Sequence, residues 1–108
     1  MPKKNRKFLD DILLAIDLIN DFKEGIDSYK EYHKDLKTKS AIERQLSIIG
    51  EAVVQYSKFE ELQHSSEIRG FRNKLIHSYD SIDDAMVWII VSQHLKSLHE
   101  EVKQKLEN

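Results

Sequence analysis

Residues 40–59 read SAIERQLSIIGEAVVQYSKF, and this stretch decides the fold. Its apolar side chains recur every three or four residues, at Ile42, Leu46, Ile49, Val53 and Tyr56. That spacing places them on one face of an α-helix, whereas a half-buried strand would alternate apolar and polar residues. Ser40 and Glu43 have the spacing of a capping box. The stretch therefore predicts an amphipathic helix over residues 40–59.

Gly50 lies within this predicted helix, where it costs about 1 kcal/mol relative to Ala. A glycine at such a position favours close approach by another backbone, and a dimer interface is one place for that approach. Arg44 and Glu51 are seven residues apart and share a helix face. They could line a dimer cleft or form an ordinary surface pair, and the sequence leaves both interpretations open.

The same periodicity extends towards the N-terminus. Residues 6–24 form a predicted helix, with Gly25 in the position that ends it. Its main apolar stripe is Phe8, Ile12, Ala15, Ile19 and Phe22. Asp27 and Ser28 can then cap a short helix that runs to Lys34.

Two further helices are predicted towards the C-terminus. One runs from Ser66 towards Ile76, and the last starts after Ser81-Ile82-Asp83-Asp84, another capping pattern. The last helix has its stripe at Trp88, Val91, Leu95, Leu98 and Val102. Residues 85–91 are apolar on all sides, which predicts burial all round. The chain is therefore expected to be all-α, an up-down bundle of four main helices and one short helix.

Composition sets the class of protein. The 108 residues predict one domain over positions 1–108, and 40% hydrophobic with 33% charged residues is typical of a soluble globular protein. The absence of cysteine excludes disulfides and thiolate zinc sites. We find no apolar run near the ~18 residues of a membrane span, so we expect a cytoplasmic protein without membrane contact. With a net charge of −2, any RNA site must be a local basic patch.

Residues 69–79, RGFRNKLIHSY, form such a patch, with three cations and no acid. His77 suits proton transfer near neutrality, because an unperturbed histidine has a pKa of about 6.5. On an ideal helix Arg72 and His77 are about 140° apart, so they can converge only if the helix ends or distorts near His77. The turn-forming residues Ser78, Asp80 and Ser81 favour an end there.

These groups suit metal-free RNA cleavage, in which the 2′-hydroxyl attacks the adjacent phosphate. His77 could act as base or acid, Arg72 could stabilise the charged phosphorane, and Asn73 could orient the imidazole or contact phosphate. Because the segment has one histidine, a two-fold dimer would supply both an acid and a base. The ordinary alternative is a helical surface with a chance Arg–His pair. The other histidines lack metal-ligand spacing, so no metal or cofactor is predicted; they are His33, His64, His94 and His99.

The pattern Arg72-x-x-x-x-His77-x-Tyr79, with polar Asn73 after the arginine, resembles the signature of the HepT-like family in the HEPN superfamily. Residues 41–52, AIERQLSIIGEA, resemble the family's helix that ends in Ile-Gly-Glu-Ala, and Val87-Trp88-Ile89-Ile90 is a third match. One departure is visible: His64-Ser65-Ser66-Glu67 stands where the family often has Pro-Trp.

The resemblance implies a dimeric HEPN bundle in which the two motifs face a shared cleft. It implies a metal-independent endoribonuclease toxin with Arg72 and His77 catalytic, and with Arg69 and Asn73 supporting RNA binding. The implied partner is a minimal nucleotidyltransferase of the MntA type, the antitoxin of a type VII pair, which would silence the toxin by adenylylating Tyr79. The alternative is a non-catalytic helical module that docks to, or presents substrate to, a nucleotidyltransferase.

Overall fold

The computed structural model describes residues 1–77 and 82–108, with the side chains of Ile76 and His77 left aside. Six α-helices lie in these ranges: α1 Lys3–Phe22, α2 Tyr29–Lys34, α3 Leu36–Tyr56, α4 Ser65–His77, α5 Asp84–Ile89 and α6 Leu95–Glu107. A π-helical segment, Ile90–His94, joins α5 to α6, so these three elements form one continuous helix, as predicted. The sequence analysis did not predict the π-helical distortion within it. The regular elements of the described chain are all helical, which confirms the all-α prediction.

The helix α3 lies at the centre of the bundle. It packs against α1 on one side and α4 on the other, while α6 packs on α1 and the short α2 bridges α3 and α5. Its predicted apolar stripe, from Ile42 to Tyr56, is buried as expected. Each such side chain contributes about 1.5–3 kcal/mol when it leaves water, so this stripe anchors the fold.

The helix starts agree with the sequence in part. Ser28 caps α2 as predicted, since its hydroxyl accepts the amide of Glu31 at 3.2 Å. The predicted capping box at Ser40 is wrong. The carboxylate of Asp35 instead accepts the amide of Thr38 at 3.0 Å, so α3 begins at Leu36, one turn earlier.

Other predicted helix ends can also be compared with the structure. Gly25 adopts φ +86°, the left-handed conformation that a glycine permits where α1 ends. Asp83 caps α5 by accepting the amide of Ala85 at 2.9 Å, whereas Ser81 lies outside the described residues.

Two burial predictions are wrong. Phe22 is 37% exposed, because the buried face of α1 is centred on Leu9, Ile12, Ile16 and Ile19. Residues 85–91 are not buried all round: Val87 is fully buried, but Met86 and Ile89 are more than 40% exposed. The side of α5 that faces α2 is covered, and Trp88 stacks on Tyr32 there with ring centroids 5.5 Å apart.

Candidate active site

Arg72 lies where α4 crosses closest to α3. A Cβ atom built on Gly50 would overlap the Cβ of Arg72 and would lie 2.6 Å from its Cγ. Only glycine therefore allows α4 to sit at its present distance from α3. This confirms the close approach predicted at Gly50, and the approaching element is a helix of the same chain.

The carboxylate of Glu51 holds the guanidinium of Arg72. Arg72 Nη2 donates to Glu51 Oε2 at 2.5 Å, and the arginine side chain remains 25% exposed. Gln55, one turn along α3, donates from Nε2 to the other carboxylate oxygen at 3.1 Å. The guanidinium is thus oriented by a carboxylate that is itself held in place, and part of the arginine side chain is exposed to solvent.

The other predicted site residues of α4 lie close by. Asn73 is exposed, and its Oδ1 is 3.5 Å from Arg72 Nη1, at the limit of a hydrogen bond. Arg69 points to the segment after α3, where its Nη1 donates to Ser57 Oγ at 3.0 Å and to Glu61 at 3.1 Å. The structure therefore brings Arg72 and Asn73 together and places Arg69 in a separate ion pair.

The basic patch predicted from residues 69–79 has acidic partners that are distant in sequence. Glu51 and Glu61 pair with Arg72 and Arg69, respectively. Because these pairs are partly exposed, solvent screens them, and a phosphate can compete for the guanidinium groups. Lys74, the third cation, is exposed on another face of α4.

His77 is the last described residue of α4, and an end of the helix near this position stays a prediction. Its side chain and the whole of Tyr79 lie outside the described residues, so their roles remain predictions. The family comparison bears on the segment that contains them. The model of the family "Ribonuclease HepT-like" matches residues 12–105.

The chain belongs to this family. The match confirms the resemblance drawn from the Arg72–Tyr79 pattern, and with it the prediction of an RNase of the HEPN type. No solved structure matches the chain significantly.

Curated relatives agree over nearly the full length of the HepT-like chain. It is 33% identical to "Probable ribonuclease HepT" of Thermococcus cleftensis, over 91% of this chain and 92% of the relative. It is 36% identical to "Putative RNase MJ0125" of Methanocaldococcus jannaschii, over 96% and 93%. A third relative, "Putative RNase TTE0752" of Caldanaerobacter subterraneus, is 33% identical over 97% and 96%.

Two further residues complete this HepT-like site. The sequence allows Glu51 to be a cleft residue or a surface partner of Arg44, and in the structure its carboxylate pairs with Arg72. Gln55 was not singled out, although a residue four positions after Glu51 lies on the same helix face. The sequence signal for Glu51 is its position directly after Gly50, because an element that packs closely against a glycine also contacts the residue next to it.

A groove separates α4 from the last helix on the side away from α3. Phe71 and Lys74 of α4 line it opposite Met86, Ile90 and His94, and it encloses about 280 Å³. Met86 in this groove is 43% exposed and Phe71 is 8% exposed, and Ile89 on the same helix as Met86 is 42% exposed. The HepT-like chain therefore presents an apolar strip directly beside its motif helix. Among the described residues no helix is both long and apolar enough to cross a membrane.

Proposed function

We propose that this HEPN ribonuclease cleaves RNA without a metal ion, using Arg72 and His77 in a cleft between two copies of the chain. The observation that carries the proposal is the guanidinium of Arg72, which Glu51 holds at 2.5 Å while the side chain stays 25% exposed, on the helix whose last described residue is His77. A positioned, partly exposed cation suits a phosphate whose charge increases during reaction.

The proposed reaction is transfer within the RNA strand. The 2′-oxygen bonds to phosphorus as one His77 imidazole takes its proton, and the bond to the 5′-oxygen breaks as a protonated imidazole supplies a proton to that oxygen. Arg72 stabilises the extra charge on the phosphorane through its N–H donors. Asn73, exposed beside Arg72, contacts the phosphate or orients the imidazole. The products are a 2′,3′-cyclic phosphate and a free 5′-hydroxyl.

A second copy of the chain completes this site in our proposal. One motif supplies one histidine, whereas the reaction uses a base and an acid, which a two-fold axis would provide. The apolar strip of Phe71, Met86 and Ile89 lies on the motif helix and its neighbour, and burial of that strip supports a dimer. Met86→Lys should give a monomer in analytical ultracentrifugation and should lose cleavage, whereas Leu14→Lys, on exposed α1 surface, should remain a dimer.

The decisive experiment is RNA cleavage in EDTA by the parent protein, Arg72→Ala and His77→Ala. We expect each variant to be at least about 100-fold slower, in line with the usual contribution of a general acid or base, and the parent's products to carry cyclic-phosphate ends. Arg44→Ala and His99→Ala remove the same side-chain types elsewhere on the surface and serve as matched controls. Equal rates for His77→Ala and the parent would show that His77 is not catalytic.

We further propose that the ribonuclease is a toxin controlled by a minimal nucleotidyltransferase of the MntA type. An AMP group on Tyr79 would add bulk and negative charge two residues from His77, filling the phosphate site and repelling RNA. Expression without the partner should stop growth, and Arg72→Ala should restore it. If the chain is a non-catalytic binding module, Arg72→Ala should not change growth. Intact mass after incubation with partner and ATP should rise by one AMP, but not in Tyr79→Phe.

A further inference from the structure

We propose that a cleft between the start of α1 and the end of α3 binds single-stranded RNA next to the cleaved phosphate. The cleft is lined by Lys4, Asn5, Phe8, Gln55, Lys58 and Phe59 and encloses about 270 Å³. It is called the α1–α3 cleft below. The inference rests on the proposed ribonuclease function and names a surface that would hold the substrate outside the reacting centre.

A continuous line of polar contacts joins Arg72 to this cleft along one face of α3. Glu51 contacts Arg72, Gln55 donates to Glu51 at 3.1 Å, and Lys58 Nζ donates to Gln55 Oε1 at 3.1 Å. With a rise of 1.5 Å per residue, Glu51 and Gln55 are about 6 Å apart along the helix, and Lys58 follows in the turn directly after its end. A strand with one phosphate at Arg72 would therefore reach the α1–α3 cleft within a few nucleotides.

The charges at the cleft are available to phosphate. Lys58 is exposed, and its ammonium contacts the neutral amide of Gln55. Lys4 is also exposed, and within residues 1–77 and 82–108 neither lysine forms an ion pair with a carboxylate. Lys7, by contrast, is paired with Asp11 at 3.1 Å. In a chain of net charge −2, two lysines without acidic partners beside an aromatic ring form a local anion-binding surface.

Phe59 supplies the aromatic component. Its side chain is 49% exposed, and its ring packs against Tyr56 with centroids 5.7 Å apart at 61°. The ring is therefore held by a buried neighbour while much of its surface meets water. Proteins that hold single strands combine such aromatic platforms with a cationic groove, because bases stack on the ring while the cations contact the backbone. A single exposed phenylalanine needs no functional explanation, but Phe59 lines the same cleft as Lys4 and Lys58.

The test is binding of a fluorescent unstructured oligoribonucleotide, measured by anisotropy in the His77→Ala background so that it is not cut. Phe59→Ala should weaken binding about tenfold, within the range of a lost base stack. Phe59→Leu keeps most of the apolar volume and should show the same loss, which separates stacking from folding. Lys58→Ala should lower the slope of log affinity against log salt by about 0.7, as for one lost phosphate contact in a single strand.

Matched controls lie elsewhere on the surface. Phe22→Ala removes another partly exposed ring, and Lys37→Ala removes an exposed lysine at the opposite end of α3. Neither should change affinity or salt slope. In the catalytically intact protein, Phe59→Ala and Lys58→Ala should also lower kcat/KM for a long strand relative to a dinucleotide.

The outcomes separate this inference from the proposed function. If the parent cleaves RNA but Phe59→Ala and Lys58→Ala bind and cut both substrates like the controls, the α1–α3 cleft is not a substrate surface and the ribonuclease assignment stands. If the parent neither binds nor cleaves RNA, both proposals fail. Binding of phosphatidylserine vesicles that depends on Lys58, without any effect on RNA, would assign the surface to a membrane and would overturn the inference.

Discussion

Gly50→Ala tests the contact on which the position of Arg72 depends. The added methyl group would overlap the Cβ of Arg72, lie 2.6 Å from its Cγ and come within 3.6 Å of its Cα. These atoms are next to the backbone of α4, so a change of side-chain rotamer cannot clear them. The two helices must therefore shift apart, and Arg72 must shift relative to Glu51.

The expected magnitude follows from a comparison with Gly70→Ala. Both substitutions gain about 1 kcal/mol of helix propensity, but a Cβ at Gly70 meets nothing within 4 Å. The propensity terms cancel in the difference between the variants, which leaves the overpacking cost at Gly50 of about 1–3 kcal/mol. We expect Gly70→Ala to be more stable than the parent, and Gly50→Ala to be less stable than Gly70→Ala by this amount.

The assay is urea unfolding of the parent and both variants, repeated at several protein concentrations so that any contribution from dimerisation is seen. In thermal melts of the same proteins, the difference corresponds to a separation in Tm of about 4–8 °C per kcal/mol for a chain of this size. The kcat of Gly50→Ala for RNA should fall as well, because Arg72 moves. Equal stability of the two variants would refute the reasoning that α4 and α3 touch at this glycine.

Three further predictions concern charged side chains. Glu51→Gln should lower kcat, because Arg72 loses its ionic partner. The same change should also lower KM, because a negative charge is removed from the proposed RNA surface. Steady-state kinetics that show neither change would contradict the positioning role of Glu51. Burial raises the pKa of the Glu43 carboxyl, so the folded chain binds this proton more tightly than the unfolded chain does. The contribution of Glu43 to the free energy of unfolding therefore falls as the pH rises from about 4.5. Glu43→Gln should remove this pH dependence from thermal melts recorded at a series of pH values above 4.5. Hydrogen bonds from Thr38 lower the pKa of the Asp35 carboxyl, so its contribution to stability is present above about pH 3.8 and is lost as the pH falls through the lower pKa of the folded state. Asp35→Asn should keep the helix cap but show a weaker loss of stability in acid. Asp35→Ala should unfold at a lower temperature even at neutral pH, because the cap is lost.

The sequence predicted the helices because their burial patterns are local. The stripe from Ile42 to Tyr56 needs only a 3.6-residue period and a partner of any kind, and α3 shows it without exception. The predicted start of α3 was wrong because two possible N-caps, Asp35 and Ser40, lie within five residues of each other. The carboxylate of Asp35 accepts hydrogen bonds from both the amide and the hydroxyl of Thr38, which favours the earlier start.

Burial around α5 could not be read from the sequence, because it depends on which faces find a partner. Residues 85–91 are apolar on every side, yet Val87 is fully buried while Met86 stays 43% exposed. The same limitation applied to the charges of α4. Within residues 69–79 there is no acid, but α3 and the segment after it contribute Glu51 and Glu61, which are distant in sequence and adjacent in space.

This pairing changes how the candidate site is understood. A free cluster of three cations would bind any polyanion, whereas here Glu51 holds Arg72 through Nη2, and among the described residues Nη1 makes only the weak contact with Asn73 at 3.5 Å. A guanidinium has five N–H donors, so the carboxylate can orient one edge while the other edge donates to a phosphate oxygen. The electrostatic attraction of the pair is modest at a partly exposed position, and its geometric effect is the larger one. In the proposed mechanism Glu51 would therefore weaken binding of the RNA ground state and fix the direction of the Arg72 donors, the combination expected of a group that favours the charged phosphorane over the resting phosphate.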